Sequence, residues 1–288
     1  MIPAPFDYSS PATLSEAFAL LKMHGDDAKI LSGGHSLIPM MKLRLASPAH
    51  LVDINKIPGL SHIKEEGGFL KIGALAREVE MEDSDVIKSK YPVFIDAAKL
   101  IADPQVRNWG TIGGNLAHGD AANDHPAVML ALRAEVVITN ETGLRTVPID
   151  EFFFGFYTTA LKHGDILTEI KVPVVGKGTS SAYHKIERKV GDYATAGVAV
   201  QITMEGDTCK QIGIGLTNVN ATPLRAKRSE EALRGKKITP ELIASAALMA
   251  SEDCNPSDDL RGSAEFKRQI VKTIVKRTIA KAIDRAKS

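Results

Sequence analysis

The chain has 288 residues, of which 44% are hydrophobic and 25% are charged, and its formal net charge is +1. This composition is typical of an ordinary globular protein, and the small net charge gives no reason to expect binding to nucleic acid or to an anionic membrane. The length suits one large domain or two modest ones, and we favour two.

Cysteine content and hydropathy restrict the metal content and the compartment. The two cysteines, Cys209 and Cys254, are far apart and form no CxxC pattern. The chain alone is therefore expected to hold neither an iron–sulfur cluster nor a structural zinc. The sequence shows no secretory signal and no apolar run long enough to span a bilayer. We expect a cytoplasmic location without a transmembrane segment, and peripheral attachment at the inner face of the membrane stays open.

Residues 1–55 are predicted to form a small α/β unit. A helix over residues 13–24 has Thr13 as its N-cap and Glu16 as its capping-box partner, and strands are expected over residues 28–31 and 51–54. The first strand runs directly into two adjacent glycines within the segment Ser32-Gly33-Gly34-His35-Ser36. A strand-to-helix turn leaves backbone N–H groups without internal partners, so an anion is favoured there.

Residues 56–175 are predicted to mix strands and helices. Strands are expected over residues 69–73 and 166–172, a helix over 84–102 that Pro92 breaks in two, and a hairpin over 135–147. A second glycine pair lies in the segment Thr111-Ile112-Gly113-Gly114-Asn115. The polar residues 115–124 that follow are predicted to be a functional loop, before a helix that Pro126 opens.

A linker-like stretch at residues 173–181 separates this part from the rest of the chain. Three antiparallel strands are expected beyond it, followed by helices. The last helix, over residues 264–286, has an apolar stripe and an opposite basic face that includes Lys267, which is typical of a solvated surface. We therefore predict a first domain over residues 1–175, in two α/β subdomains of about 1–55 and 56–175, and a second domain over 178–288.

The two glycine pairs are the most informative motif. Glycine has no Cβ and reaches positive φ at little cost, so the backbone N–H groups of such turns can form a nest for an anion. Two nests suit the pyrophosphate of a dinucleotide such as FAD better than a mononucleotide. Neither pair belongs to a Gly-x-Gly-x-x-Gly fingerprint or a Walker loop, which disfavours a Rossmann nicotinamide site and a P-loop.

Two other kinds of chemistry are weaker interpretations of the same residues. His35, His118 and His125, with Asp120 and Asp124 nearby, match no compact metal-ligand spacing, so we predict no metal site. The adjacent His35 and Ser36 lack a nucleophile elbow, which disfavours hydrolysis. For Asp124, a hydrogen bond to a sugar or ribityl hydroxyl is the more useful hypothesis.

Three segments carry a family resemblance: SGGHSLIPMMKLRL at residues 32–45, IADPQVRNWGTIGGNLAHGDAAND at 101–124 and KVGDYATA at 189–196. They resemble the FAD-binding subunits of the molybdenum hydroxylase/xanthine dehydrogenase family, and within it the medium subunits of carbon monoxide dehydrogenases. The resemblance covers nearly the whole chain. It implies an α+β fold, in which a two-part FAD-binding domain of the vanillyl-alcohol-oxidase/MurB type precedes a small domain with a three-stranded antiparallel sheet and a helical bundle.

The resemblance also implies which residues bind FAD non-covalently, while no residue is predicted to be catalytic. The pyrophosphate would be held by Ser32, Gly33, Gly34, His35, Ser36, Thr111, Ile112, Gly113, Gly114 and Asn115. Asp124 would bond the ribityl or ribose region, and Ile101 and Ala102 would line the flavin. Lys185 and Tyr193 match positions near the isoalloxazine ring, where a lysine stabilises an anionic reduced flavin and a tyrosine stacks on or gates one face.

The implied assembly has other redox centres in other chains. A large subunit would hold the molybdenum–pterin cofactor and a small subunit the [2Fe–2S] clusters, in a dimer of heterotrimers. Electrons would leave through the FAD to an external acceptor such as a quinone. Two alternatives stay open: a self-sufficient flavin oxidase or reductase of the same flavin fold, with His35 as a covalent link in the oxidase case, and a non-redox module for another phosphate ligand.

Overall fold

The computed structural model describes residues 1–287. The first structural unit of the chain is a three-stranded parallel sheet with helices. Its elements are β1 (Asp7–Ser9), α1 (Leu14–His24), β2 (Ala28–Leu31), α2 (Leu37–Lys42) and β3 (His50–Asp53). The strands lie in the order β1-β3-β2. Thr13 caps α1 as predicted, because its side chain accepts a hydrogen bond from the N–H of Glu16. Leu31 pairs with Asp53, so the first glycine turn leaves the sheet beside residues 53–55.

The second unit is an antiparallel five-stranded sheet with helices. Its elements are β4 (Ile63–Glu66), β5 (Phe69–Gly73), α3 (Glu78–Asp83), α4 (Asp85–Lys90), α5 (Pro92–Ala98), α6 (Pro104–Arg107), α7 (Ile112–His118), α8 (Asp124–Leu132), β6 (Glu135–Asn140), β7 (Gly143–Pro148), β8 (Phe153–Gly155), β9 (Thr158–Thr159) and β10 (Ile166–Pro173). The sheet order is β4-β5-β10-β6-β7, while β8 and β9 pair separately. Pro92 opens α5, so the predicted break in the helical pattern is confirmed.

The stretch predicted to be a polar loop at residues 115–124 is helical at residues 115–118 and at Asp124, so the prediction is wrong there, whereas residues 119–123 do form a loop. Thr111 caps α7 by accepting a hydrogen bond from the N–H of Gly114 at 3.2 Å. Ile112 and Leu116 occupy core positions one helical turn apart and are fully buried. The helix α8 begins at Asp124 and is buried along its whole length. The helix was not predicted because glycines and small polar residues surround the one apolar pair, Ile112 and Leu116, that packs α7 into the core.

The third unit is an antiparallel sheet covered by helices. Its elements are β11 (Thr179–Ile186), β12 (Ala196–Glu205), β13 (Thr208–Thr217), β14 (Leu224–Arg225), α9 (Lys227–Leu233), α10 (Pro240–Asp253) and α11 (Ala264–Lys287). The three long strands correspond to the predicted ones, and the two-residue β14 extends the edge beside β13. No helix within residues 1–287 combines the length and the apolarity that crossing a bilayer requires.

The long helix α11 packs its apolar stripe against this sheet. Ile270, Ile274 and Ile279 on the stripe are buried, as the helical spacing predicts. Lys267, which was expected on the solvated face, is only 1% exposed. Its ammonium donates hydrogen bonds to the carbonyl of Ser257 and the carboxylate of Asp259, so the prediction of a solvated Lys267 is wrong.

An ion pair connects α5 to α11. Arg285 donates to both carboxylate oxygens of Asp96, at 2.7 and 3.0 Å, and the Lys281 ammonium lies 3.1 Å from the same carboxylate. Burial acts to raise the pKa of Asp96, but hydrogen bonds from Arg285, the Tyr183 N–H and Lys281 outweigh it. The pKa of Asp96 therefore lies below its ordinary value.

Asp96→Asn is expected to weaken the protein at neutral pH and to flatten its acid sensitivity. Because the folded pKa is depressed, the ionised carboxylate contributes stability above the unfolded pKa, and this contribution is lost as the pH falls through the folded value. The variant should lose about 2 kcal/mol at about pH 7, and the difference from wild type should shrink towards about pH 3. Urea unfolding at both pH values measures this effect. The exposed Asp27→Asn serves as the control, and a D96N deficit that is equal at both pH values would contradict the prediction.

Candidate cofactor site

A cavity of about 690 Å³ is bordered by residues from all three units. This volume is in the range of small-molecule and cofactor pockets. Every residue predicted to bind FAD borders the cavity except Ile112. The bordering residues of that set are Ser32, Gly33, Gly34, His35, Ser36, Ile101, Ala102, Thr111, Gly113, Gly114, Asn115, Asp124, Lys185 and Tyr193. The fold thus brings together segments that are far apart in sequence.

The two glycine turns touch each other. The hydroxyl oxygens of Ser32 and Thr111 lie 3.1 Å apart. A Cβ placed on Gly33 would lie 2.4 Å from the carbonyl oxygen of Trp109, and one on Gly114 would lie 2.7 Å from the hydroxyl oxygens of both Ser32 and Thr111. The missing side chains therefore allow backbone from one unit to approach backbone from another.

The first turn presents a run of free backbone donors. Within residues 1–287, no acceptor takes up the N–H groups of residues 33–36. Gly34 has a φ of 76°, the left-handed conformation that favours glycine. Ser36 borders the cavity, and its hydroxyl caps no helix. Four successive unpaired N–H groups in such a turn match the donor set that holds a phosphate.

The second turn works differently from the first. The N–H groups of Ile112, Gly113, Gly114 and Asn115 donate to Ala76, Ala74 and Thr111 at 2.9–3.2 Å, so this turn is not the second nest of free amides that its glycines suggested. Gly113 instead permits close packing, because a Cβ there would lie 2.5 Å from that of Ala74. The turn can offer side chains to a ligand: the hydroxyl of Thr111 and the amide of Asn115, whose Oδ1 is buried without a partner in the described chain.

Two residues that the sequence reasoning missed hold the turns in place. Asn55 donates to the carbonyl of Ser32 at 2.9 Å. Arg77 donates to the carbonyl of Asn108 at 2.9 Å and to the side chain of Asn55 at 3.4 Å, and its guanidinium lies over the Trp109 ring. For Asn55 the sequence offered one signal, an Asp-x-Asn turn directly after a strand. In the structure the Asp53 carboxylate accepts a hydrogen bond from the Asn55 N–H, as such a turn requires.

A buried polar cluster borders the cavity around Asp124. Lys185 donates to Asp124 at 3.1 Å and to the carbonyl of Asp192 at 2.9 Å, and the Tyr183 hydroxyl donates to the other oxygen of Asp124. Burial raises the pKa of Asp124, against the opposing effects of Lys185 and Tyr183. Burial, together with Asp124, also raises the pKa of Tyr183 well above its ordinary value. Each Asp124 oxygen keeps a lone pair with which to accept a sugar hydroxyl.

Tyr193 belongs to a segment that rests on Ala102. A Cβ at Gly191 would lie 2.4 Å from the Ala102 carbonyl oxygen, and Gly191 has a φ of 80°. Burial raises the pKa of the Tyr193 hydroxyl, and the nearby Asp120 and Tyr157 act in the same direction. The residue as a whole remains 40% exposed. Ile101, Ala102 and Tyr193 thus supply apolar surface near the buried polar cluster.

The three histidines considered as metal ligands lie in separate environments. His125 is fully buried and paired with Glu78 at 2.8 Å, while His118 packs against the Tyr157 ring. His35 is exposed at the first glycine turn and borders the cavity. Over residues 1–287, no three metal-ligating side chains come together in one group.

Comparison with known proteins establishes the family. Residues 4–175 match the family described as FAD binding domain in molybdopterin dehydrogenase, and residues 181–282 match the CO dehydrogenase flavoprotein C-terminal domain. The chain belongs to the FAD subunits of the molybdopterin dehydrogenases. FAD is the cofactor of this family, and its members are oxidoreductase subunits.

Individual relatives match over nearly the whole chain. The carbon monoxide dehydrogenase medium chain of Hydrogenophaga pseudoflava is 49% identical over 279 residues, covering 97% of each chain. The 6-hydroxypseudooxynicotine dehydrogenase complex subunit alpha of Paenarthrobacter nicotinovorans is 38% identical, covering 100% of this chain and 97% of that one. A solved carbon monoxide dehydrogenase from Hydrogenophaga pseudoflava, which lacks the Mo-pyranopterin moiety, superposes with a TM-score of 0.97 at 50% identity, covering 99% of each chain. The predicted α+β fold class is thereby confirmed.

Proposed function

We propose that this chain carries non-covalent FAD, accepts electrons from [2Fe–2S] clusters in a small partner subunit and passes them to an external acceptor such as a quinone. A large molybdenum–pterin subunit completes the complex, which is a cytoplasmic dimer of heterotrimers that oxidises its substrate in the large subunit. Carbon monoxide is the favoured substrate, because the 49% identical relative is a carbon monoxide dehydrogenase chain whereas the 38% identical relative belongs to a different dehydrogenase.

One observation carries this proposal: a turn with four free N–H groups borders a cavity of cofactor size. The N–H groups of residues 33–36 would hold the pyrophosphate, with the Thr111 hydroxyl and the Asn115 amide added from the second turn. Asp124 would accept a sugar hydroxyl, Ile101 and Ala102 would contact the flavin, and Lys185 would supply a positive charge. When bound, FAD supplies the exchange between one-electron and two-electron transfer.

The cysteines support the location of the iron–sulfur clusters in another chain. Both Cys209 and Cys254 are buried, and burial raises their pKa values to about 11 and about 12. A thiolate is the form that ligates iron, and [2Fe–2S] clusters use four cysteines, or two cysteines and two histidines in Rieske centres. Two thiols held in their protonated form do not provide such a site, which supports the proposal that the electrons come from clusters in a partner.

The test is a visible absorption spectrum of the purified chain after FAD is added, repeated on the supernatant and pellet after acid precipitation. We expect flavin bands that move to the supernatant as FAD. Colour that stays in the pellet, and that is lost in the variant His35→Ala, would instead establish a covalently flavinylated oxidase. This alternative is kept because His35 is exposed at the cavity. Failure of the well-folded chain to bind FAD would contradict both.

A second measurement tests the division of labour between subunits. Carbon monoxide added to the FAD-loaded chain alone should leave the flavin oxidised, whereas dithionite should bleach it. Bleaching by carbon monoxide without partner subunits would place substrate oxidation in this chain and contradict the proposal.

A further inference from the structure

One segment at the edge of the cavity is held from two sides. The rim segment, residues 188–193, lies within the connection between β11 and β12, and its Gly191, Asp192 and Tyr193 border the cavity. On one side, Gly191 packs directly on the carbonyl of Ala102. On the other side, the segment contacts Arg261, which lies between α10 and α11 and which the sequence reasoning did not single out.

Arg261 contacts two successive residues of the rim segment. It donates to the Asp192 carboxylate at 3.0 Å, and its guanidinium carbon lies 5.4 Å from the centre of the Tyr193 ring. The side chains of Arg261 and Asp192 are 22% and 9% exposed, so water screens this pair only partly. The carbonyl of Asp192 also accepts from Lys185. Arg261 therefore holds the same residue that fixes the Lys185 ammonium beside Asp124.

Arg261 is itself anchored through a buried charge. Its backbone N–H donates to the Asp259 carboxylate at 2.7 Å, and the other oxygen of Asp259 accepts from Lys267 at 2.8 Å. Lys267 is almost completely buried. The Asp259 side chain is 30% exposed, so only the Lys267 charge is removed from water. Burying that charge is costly, so the pair is weak evidence for stability and is better explained by the geometry that it fixes. Here it fixes the loop that presents Arg261.

A second arginine offers a natural comparison. Arg188 also donates to the Asp192 carboxylate, at 3.2 Å, but its side chain is 49% exposed. Its other contact is a long hydrogen bond to the carbonyl of Leu260, at 3.4 Å, in the loop that carries Arg261. Both contacts of Arg188 are exposed to solvent, so they tie the rim segment to that loop only weakly. Arg188 therefore shares the partner of Arg261 without sharing its position.

We propose that Arg261 is a positioning residue that holds the rim segment closed over the cavity and thereby slows the release of the bound cofactor. The identity of that cofactor as FAD rests on the proposed function, whereas the hold on the rim segment does not. Loss of Arg261 removes the less exposed of the two arginines that bond the Asp192 carboxylate, and it removes the cation from the face of Tyr193, so the segment opens more often.

Hydrogen exchange in the FAD-free full chain tests the hold. Peptides covering residues 187–195 should exchange about tenfold faster in Arg261→Gln than in wild type, with the cores of β11 and β12 unchanged. Arg261→Lys, which keeps the charge, should restore most of the protection, and Arg188→Gln should change it by no more than about twofold. Unchanged exchange in R261Q, or faster exchange across the whole chain, would overturn the proposal.

The release of FAD from the loaded chain tests the consequence. Its rate constant, followed by flavin fluorescence after dilution, should rise about tenfold in R261Q and stay near the wild-type value in R188Q. A faster-exchanging rim segment with an unchanged rate of FAD release would overturn the role in retention. If the wild-type chain binds no FAD, the proposed function fails, and the exchange experiment alone decides whether Arg261 holds the segment.

Discussion

Gly33→Ala is expected to abolish FAD uptake at concentrations that saturate the wild-type chain, with the Kd raised at least about 100-fold. The new Cβ would lie 2.4 Å from the Trp109 carbonyl oxygen and 3.0 Å from the Gly110 Cα, and both are backbone atoms. No rotamer change relieves such a contact, so the first turn must move away from the second. The four free N–H groups would then no longer face the groups contributed by Thr111 and Asn115.

A matched control separates this effect from the general cost of replacing glycine. Gly176→Ala adds the same methyl group at a position with no atom within 4 Å and without a positive φ, so it should bind FAD like wild type. Fluorescence titration of FAD into all three proteins gives the comparison, and circular dichroism checks that each is folded. Affinity within about threefold of wild type in folded G33A would show that the two turns need not touch.

Much of the fold was predictable because its signals are local. The Thr13 cap, the break at Pro92 and the apolar stripe of α11 each depend on a few neighbouring residues, and each appears in the structure as predicted. The α7 region was not predictable in this way, since its helical state depends on a single buried pair and on packing against Ala74. The prediction for Lys267 failed for a related reason: the carboxylate that pairs with its buried ammonium is on a neighbouring loop.

The candidate site shows the same difference between features with a local signal and features that depend on tertiary contacts. Two glycine pairs far apart in sequence suggested a common ligand, and the fold does bring them into contact. Which of them keeps free amides could not be predicted, because the second pair loses its donors to Ala74 and Ala76. Arg77 and Arg261 act through long-range contacts that carry no local pattern, and the Asp-x-Asn turn does not indicate that Asn55 bonds the carbonyl of Ser32. A sequence motif thus predicted which segments meet at the cavity, and only tertiary contacts identify the residues that shape it.

Gly215→Ala is expected to be strongly destabilising because helix α8 lies directly on strand β13. A Cβ at Gly215 would lie 2.0 Å from the Ala127 carbonyl oxygen, and one at Gly213 would lie equally close to that of Ala131. Residues two apart on a strand share a face, and residues four apart on a helix share a face as well. Gly213 and Gly215 on β13 therefore each contact one alanine of α8, Ala131 and Ala127 respectively. Overpacking against backbone should cost about 3 kcal/mol, and thermal unfolding should begin roughly 6–12 °C lower.

The contact between Gly215 and the carbonyl of Ala127 also predicts that a second substitution at residue 127 does not restore the stability lost in Gly215→Ala. The clash involves the carbonyl of residue 127 and not its side chain, and glycine is itself unfavourable inside a helix, so Ala127→Gly combined with Gly215→Ala should be at least as unstable as G215A alone. Calorimetry of both variants, with Gly176→Ala as the control, makes the comparison, and recovery in the double variant would show that side chains set the spacing. Because Asp124 opens α8, a displaced helix also moves the carboxylate that Lys185 and Tyr183 hold. G215A should therefore bind FAD more weakly even at temperatures where it remains folded.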